Sequence, residues 1–282
     1  MLVIDSQVHV WAAEGPDRPW PKSGVATHVH LPQPLGYEEL LSRMREAGVH
    51  RAILVPPSWE GDRNDYALAA AEAYPQHFAV MGRLALDSPS SRAWVENWKP
   101  SQGLLGLRLT FVWDRERTWL TDGTADWFWP IAERVQMPVM IMAPEEKPEI
   151  ARIAERHPGL RLIVDHMGLR NKIAKEGRIA EAVEGTLALA KFPNVHVKLS
   201  GLPGYSQEEY PFRDLHDPIR RVVDAFGPRR AFWGTDLSRL LSKCSQRDAV
   251  TYVTEQLDFL SHEDLEWIMG RGIAHCLGWK ID

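Results

Sequence analysis

The chain has 282 residues, of which 44% are hydrophobic, and carries a formal net charge of −5 at pH 7 with a pI near 6.1. This length is enough for one large core, and α/β barrels commonly reach about 250 residues as a single domain. The acidic balance, without a Lys/Arg-dense segment, excludes a nucleic-acid-binding protein of the kind that presents a clustered basic patch.

Short apolar segments typical of strands alternate along the chain with amphipathic segments typical of helices. The predicted strands are 2–9, 51–56, 78–84, 104–110, 138–143, 160–166, 195–200 and 231–236. The predicted helices are 37–47, 64–74, 125–135, 145–156, 179–191, 215–225, 246–259 and 262–270. Gly48, Gly159 and Gly227 follow three of these helices and are predicted to cap them. The alternation predicts an α/β protein, a closed (β/α)8 TIM barrel forming one domain over residues 1–282, rather than an open doubly wound sheet.

The first connection, residues 11–35, is rich in Pro, Gly, Trp and His and lacks a regular pattern. Connections longer than about 12 residues without structure of their own are usually lids or binding loops. His28 and His30 form a His-x-His pair inside this connection. Because no predicted strand fixes them, we interpret them as solvated or substrate-contacting residues rather than as metal ligands.

The chain carries few signals of cellular context. Cys244 and Cys276 lie far apart without metal-ligand spacing, which fits a reducing compartment. The first residues do not show a charged segment followed by an apolar segment, which is the pattern of a targeting signal, and the sequence has no run of about 18 apolar residues. We therefore expect a soluble, cytoplasmic protein whose partner is a small-molecule substrate, without a membrane or nucleic-acid partner. No feature of the sequence predicts an oligomeric state.

The first predicted strand carries polar residues at alternating positions. Side chains alternate between the two faces of a strand, so we expect Asp5, Gln7 and His9 on one face. Ile4 and Val8 then lie on the other face. A buried strand with this pattern directs polar groups toward a functional site.

Other strand candidates also end in residues that can carry chemistry. In a barrel, catalytic groups come from the C-terminal ends of the strands, and His9, Arg108, His166, Lys198 and Asp236 all lie at or just past such ends. A buried aspartate is costly without a partner, so Asp236 should be ion-paired, hydrogen-bonded or bound to a metal. His9 and His166 are the expected partners.

Five segments in chain order resemble the amidohydrolase superfamily. They are Asp5-x-Gln7-x-His9-x-Trp11, Gly106-Leu107-Arg108, Asp165-His166-Met167-Gly168, Val197-Lys198-Leu199-Ser200-Gly201 and Trp233-Gly234-Thr235-Asp236. More narrowly, they are similar to its lactonase-like branch, which includes 2-pyrone-4,6-dicarboxylate lactonase and sugar lactonases. The resemblance covers nearly the whole chain. It implies a (β/α)8 barrel that activates water against a lactone, amide or ester, or in another branch removes a carboxylate.

The chain departs from the family pattern at the positions that hold metals. The family usually carries His-x-His on the first strand, where this chain has Gln7-Val8-His9. Metal-dependent members have a further ligand on the fifth strand, where this chain has Ile141-Met142-Ala143. Related lactonases often show Trp-Pro-His after the last aspartate, and here the residues are Leu237-Ser238-Arg239. The catalytic aspartate is therefore retained, whereas the metal site is depleted.

Two mechanisms follow from this pattern. His9, His166 and Asp236 could supply the three protein ligands of a catalytic zinc or manganese ion, with Gln7 as a poor fourth ligand. In the metal-free mechanism, Asp236 is the general base toward water, and His9 and His166 hydrogen-bond the attacked carbonyl. We favour the mechanism without a cofactor, since the pyrone lactonases of the family are understood to work without a metal.

The remaining polar residues suggest the charge of the substrate. Arg108 can bind a planar carboxylate through two hydrogen bonds. Lys198 and Arg239 could add positive charge, although Lys198 could also face the helix layer. Gln7 fits a structural hydrogen bond or a substrate contact equally well. If these residues line the barrel mouth, the substrate is an anion despite the acidic protein.

The leading prediction is a hydrolase of a small anionic lactone or cyclic ester, with water activated by Asp236. One alternative is a metal-dependent decarboxylase of an aromatic or muconate-like carboxylic acid, which requires a bound ion. Another is a non-catalytic barrel that binds a metabolite, suggested by the glutamine at position 7. Turnover that depends on Asp236 would exclude this last alternative.

Overall fold

The computed structural model describes residues 1–22, 28–101, 103–113, 115–170, 173 and 176–280. One eight-stranded sheet runs in chain order from β1 to β8, and its paired neighbours are parallel. The strands are β1 (Ile4–Val8), β2 (Arg51–Leu54), β3 (Phe78–Gly82), β4 (Leu104–Thr110), β5 (Val139–Met142), β6 (Leu162–Val164), β7 (Val195–Ser200) and β8 (Ala231–Gly234). All eight predicted strands are present, and the barrel prediction is confirmed.

The last strand returns to the side of the first. The backbone N–H of Thr235 donates to Asp5 Oδ1 at 2.8 Å, and that of Asp236 donates to the carbonyl oxygen of Gln7 at 2.9 Å. Gly234 allows this approach, because a Cβ at this position would lie 2.7 Å from Ser6 Oγ. The sheet therefore forms a nearly closed barrel.

Helices follow most strands on the outside of the barrel. In the described residues they are α1 (Tyr37–Ala47), α2 (Asp65–Ala73), α3 (Pro89–Glu96), α4 (Phe128–Arg134), α5 (Lys147–Arg156), α6 (Ile179–Ala182), α7 (Glu184–Leu187), α8 (His216–Phe226), α9 (Leu237–Leu240), α10 (Gln246–Thr251), α11 (His262–Glu266) and α12 (Gly272–Leu277). Two π-helical turns, Tyr252–Gln256 and Trp267–Arg271, continue α10 and α11. Within the described part of the chain, no helix is both long and apolar enough to cross a membrane.

Several helix predictions need correction. The sequence pattern does not predict α3, which begins with a proline and two serines, or α12. The helix predicted at 179–191 is divided into α6, α7 and the 3-10 turn Ala188–Lys191. Gly48 caps α1 with a φ of 75° and Gly227 follows α8, as predicted. Gly159 does not cap α5, because α5 ends at Arg156 with His157 as its C-cap and the Gly159 N–H donates to Glu133.

The barrel interior and the space under the helices are separate apolar cores. Six strands each contribute one or more side chains to the inner cluster, which fills the barrel base and contacts α12. The inner side chains from the strands and the residue after β2 are Ile4, Ile53, Val55, Met81, Met140, Ile163 and Phe232. The outer cluster joins the strands to the helices and includes Val8 and Val10. The polar residues therefore lie above a closed apolar base.

A β-bulge in β1 changes the predicted alternation. Asp5 is opposite Ala52 and Val8 is opposite Leu54, so β1 has one more residue than β2 between these pairs. Gln7 and His9 contact each other, whereas Asp5 accepts hydrogen bonds from Thr235. Burial raises the pKa of the Asp5 carboxyl to about 6 although these hydrogen bonds oppose the shift. The prediction that Asp5 shares a face with Gln7 and His9 is wrong, and Asp5 instead joins β1 to β8.

One histidine outside the barrel mouth should make stability depend on pH. His196 on β7 stacks on Phe232 with ring centroids 5.4 Å apart, and burial lowers its pKa from 6.5 to about 4. Between these pH values the unfolded chain binds the extra proton, so the free energy of unfolding falls as the pH drops. We expect the wild type to lose about 2 kcal/mol more than His196→Phe between pH 7 and pH 5.

Urea unfolding at each pH measures this difference. His9 and His30 are present in both proteins, so the difference between the two curves reports His196 alone. Parallel pH dependence in the two proteins would contradict the assignment.

Candidate active site

A cavity of about 240 Å³ opens at the C-terminal ends of the strands. Side chains predicted for the site enter it from the end of β1, the end of β4, the turn after β6 and the turn after β8. Five residues predicted for the site line this cavity: His9, Arg108, His166, Asp236 and Arg239. The cavity is thus placed where barrel enzymes carry their active sites.

Asp236 has a left-handed backbone two residues after the end of β8. Its φ of 50° and ψ of 48° lie in the left-handed region, which is uncommon for residues other than glycine. Its Oδ2 lies 3.2 Å from Arg239 Nε, and its Oδ1 lies 3.4 Å from His9 Nε2. Oδ1 is buried and accepts no hydrogen bond from the described residues. A buried acceptor without a donor is costly, which indicates that a ligand or water completes this site.

The charge environment keeps Asp236 ionised. Burial alone would raise the pKa of this carboxyl, but the His166 and His9 rings when they are protonated, together with the Arg239 guanidinium, outweigh burial and hold the pKa below its usual range. The carboxylate can therefore accept a proton across the neutral pH range.

His9 lies beside this carboxylate as a neutral ring. Its Nδ1 lies 2.6 Å from the carbonyl oxygen of Val55, which can only accept, so Nδ1 carries the proton and Nε2 is bare. Gln7 Nε2 donates to His9 Nε2 at 3.3 Å. Burial lowers the pKa of His9 to about 4, so the ring is neutral at pH 7. This arrangement replaces the predicted hydrogen bond from His9 to the attacked carbonyl, because Nε2 acts as an acceptor.

His166 lies across the cavity after β6. It has a φ of 53° and ψ of 42° and is followed by Met167, also left-handed. Its Nδ1 lies 2.8 Å from Ser200 Oγ, and burial lowers its pKa. When the Ser200 hydroxyl donates to Nδ1, the proton of the neutral ring is on Nε2, which is then a hydrogen-bond donor.

The first connection contributes two histidines to the cavity wall. His28 stacks on Trp113 with ring centroids 4.8 Å apart. His30 packs against Trp59 at 4.6 Å, and its Nδ1 lies 2.7 Å from Ser238 Oγ. Burial lowers the pKa of His30 to about 2. Both side chains line the cavity, and His30 is partly buried rather than solvated.

Gln7 and Lys198 do not lie on the cavity wall. Both are fully buried and absent from the lining. Lys198 Nζ lies 2.8 Å from Asp165 Oδ1, and Arg108 Nε donates to Asp165 Oδ2 at 2.8 Å. The substrate contacts predicted for Gln7 and Lys198 are therefore corrected to a supporting position below the cavity. Nor does Lys198 face the helix layer.

The cavity lining carries more positive than negative charge. Arg108, Arg170 and Arg239 line it, whereas Asp236 is its one carboxylate among the described residues. Arg170 also pairs with Glu145 at 2.6 Å outside the cavity. The sequence pattern does not identify Arg170, which follows the end of β6 by several residues. This charge balance attracts anions.

Comparison with known proteins decides the family. The sequence matches the amidohydrolase family over residues 4–274. The chain belongs to the amidohydrolase family. L-fucono-1,5-lactonase of Burkholderia ambifaria is 29% identical to this amidohydrolase over 248 residues, which is 84% of this chain and 81% of the relative.

Two solved structures share the fold of this amidohydrolase. An amidohydrolase of Burkholderia multivorans with bound zinc has a TM-score of 0.81 at 22% identity, with 99% of each chain covered. A probable 2-pyrone-4,6-dicarboxylic acid hydrolase of Acinetobacter baumannii with bound citric acid has a TM-score of 0.78 at 18% identity. That comparison covers 99% of this chain and 100% of the other. Family and relatives identify the chain as a hydrolytic enzyme.

The zinc-bound neighbour raises the question of a metal site in this amidohydrolase. Within the described residues, His9, His30 and Asp236 each offer a ligand atom, and these atoms lie within 4.8 Å of one another. Two imidazole nitrogens and a carboxylate oxygen suit zinc, and manganese also accepts them. The unpartnered Asp236 Oδ1 agrees with this fit. This group contains His30, whereas the sequence predicts His166 as the third candidate ligand.

Proposed function

We propose that this amidohydrolase hydrolyses the ring ester of a small lactone that carries a carboxylate, with Asp236 as the general base. Lactonases among the relatives support the ester chemistry. The arginines of the cavity support the negative charge of the substrate.

The observation that carries the proposal is Asp236 Oδ1, a buried carboxylate oxygen that accepts no hydrogen bond from the described residues and lies 3.4 Å from His9 Nε2. A water molecule can donate one hydrogen to this oxygen, which leaves its own lone pairs available for attack. Such a water is oriented for attack, and the ionised Asp236 is ready to accept its proton.

The reaction then proceeds through an ordinary ester hydrolysis. The water oxygen bonds to the lactone carbonyl carbon while Asp236 Oδ1 takes a proton. His166 Nε2–H stabilises the negative charge that develops on the carbonyl oxygen. Cleavage of the ring C–O bond transfers the proton to the leaving oxygen, and the product is a hydroxy acid.

Arg108 is the group that binds the substrate carboxylate. Its Nε donates to Asp165 and its Nη1 donates to Thr110 Oγ1 at 2.5 Å. Nη2 has no hydrogen bond to the described residues, although Arg108 lines the cavity. Arg170 and Arg239 add positive charge at the rim. A charge-assisted bond to the carboxylate contributes about 1.5–3 kcal/mol.

We propose that the reaction does not require a tightly bound metal. A divalent ion held by His9, His30 and Asp236 would act as a Lewis acid toward the carbonyl or water. However, Gln7 already donates to the lone pair of His9 Nε2, and the Arg239 guanidinium already neutralises Asp236. Both contacts compete with an ion.

A panel of lactones matched in ring size, with and without a carboxylate, tests the function. We expect hydrolysis of both, with kcat/KM about 10- to 100-fold higher for the carboxylated compounds. A preference for the neutral lactones would refute the proposed substrate charge. Decarboxylation of an aromatic acid without any lactone turnover would refute the proposed reaction and favour the alternative.

Chelation tests the role of metal in the same assay. We expect lactone hydrolysis to persist after chelation and dialysis, with metal content followed by mass spectrometry. Loss of activity that zinc or manganese restores would show that an ion is required.

A further inference from the structure

We propose that Lys198 and Gln7 are positioning residues that hold His9 in the tautomer whose Nε2 carries no proton. This inference rests on the proposed function, since His9 in this tautomer cannot donate to Asp236 Oδ1, 3.4 Å away, and so leaves that oxygen open to the attacking water. Neither residue contacts the cavity, so both act through His9.

The Lys198 ammonium group holds the Gln7 side chain in place. Lys198 is fully buried inside the barrel, above the apolar base. Its ammonium group forms an ion pair with Asp165 Oδ1 at 2.8 Å and donates to Gln7 Oε1 and to Met140 Sδ at 3.4 Å. A lysine ammonium has three donors and no acceptor.

The ammonium determines which way the Gln7 amide faces. Because Lys198 can only donate, the neighbouring atom of Gln7 must be its oxygen, Oε1. The amide nitrogen then faces His9 Nε2 at 3.3 Å and donates to it. An inverted amide would place Oε1 against that nitrogen and remove the donor. The side chains of Lys198 and Gln7 thus favour the His9 tautomer whose Nε2 carries no proton.

The backbone carbonyl of Val55 favours the same tautomer from the other side of the ring. Its oxygen accepts from His9 Nδ1 at 2.6 Å, which leaves Nε2 bare. Two independent contacts therefore select one tautomer. A buried ion pair is not needed for stability, since apolar residues of similar volume often serve as well. We assign this orienting role to the buried charge of Lys198.

Gln7→Glu and Gln7→Met test the inference as a matched pair. Both keep the length of the side chain, but glutamate presents acceptors to both Lys198 and His9, whereas methionine presents neither a donor nor a strong acceptor. We expect kcat to fall about 100-fold for Gln7→Glu and about 10-fold for Gln7→Met, with KM within about threefold of the wild type. A glutamate variant at least as active as the methionine variant would overturn the proposal.

Nitrogen NMR of histidine-labelled protein gives a readout that does not depend on turnover. We expect the wild type to show a protonated Nδ1 and a bare Nε2 at His9, and Gln7→Glu to show a protonated Nε2. Lys198→Met should weaken the same signature. A protonated Nε2 in the wild type would refute the inference, even if lactone hydrolysis is confirmed. A bare Nε2 that Gln7→Glu changes would support it, even if the substrate is not a lactone.

Discussion

Replacing Asp236 with asparagine is expected to lower kcat by about 10³- to 10⁴-fold while the protein remains folded. The amide cannot accept a proton from water, so the general base is lost. Asparagine has nearly the same size and tolerates the left-handed backbone at this position. The backbone hydrogen bond from residue 236 to Gln7 also remains. Steady-state kinetics and thermal unfolding of the same preparation measure both effects.

Asp248→Asn is the matched control for this experiment. Asp248 accepts from Ser245 in a capping box at the start of α10 and does not line the cavity. The change should cost about 1 kcal/mol of stability at most and leave kcat unaltered. An Asp236→Asn enzyme that retains more than about a tenth of its activity would show that another group activates the water.

Arg108→Lys should raise KM for a carboxylated lactone by about 10- to 100-fold, with a much smaller change in kcat. The guanidinium donates to Asp165 and Thr110, and the residue lines the cavity. One lysine ammonium retains the charge beside Asp165 but cannot reproduce this planar set of donors. The loss is one of substrate binding, so kinetics on matched charged and neutral lactones separate it from a general defect.

Arg83→Lys provides the comparison. Arg83 is also buried and also donates to Thr110, at 3.2 Å, but it does not line the main cavity. We expect its KM to stay within about threefold of the wild type. If both lysine variants raise KM equally for charged and neutral lactones, Arg108 does not recognise the carboxylate.

The sequence predicts the barrel well because each strand is a short apolar run bounded by turn residues. It is less informative where a local pattern is weak. The segment that forms α3 starts with Pro89 and two serines, residues with low intrinsic helix propensity that nevertheless suit a helix start. The bulge in β1 has no signal in the residues 4–8, because it arises from pairing with β2. For this reason, the expected alternation of side chains between the two faces of β1 places Asp5 on the wrong face.

For the site, strand ends predict which residues gather but not how they are connected. The positions of His9, Arg108, His166 and Asp236 follow from barrel topology alone. The depth of Lys198 below the cavity does not, because it depends on pairing with Asp165 across the barrel. His30 reaches the site from an irregular connection, whose path no periodicity encodes.

The origin of His30 has a consequence for how this enzyme could change its chemistry. The strands supply Asp236 and His9, which alone fall short of the three protein ligands usual for a catalytic zinc, while the connection supplies the third candidate. Loops of barrel enzymes vary without disturbing the strands beneath them. Exchange of this single connection, with the barrel untouched, would therefore remove or restore the third candidate ligand.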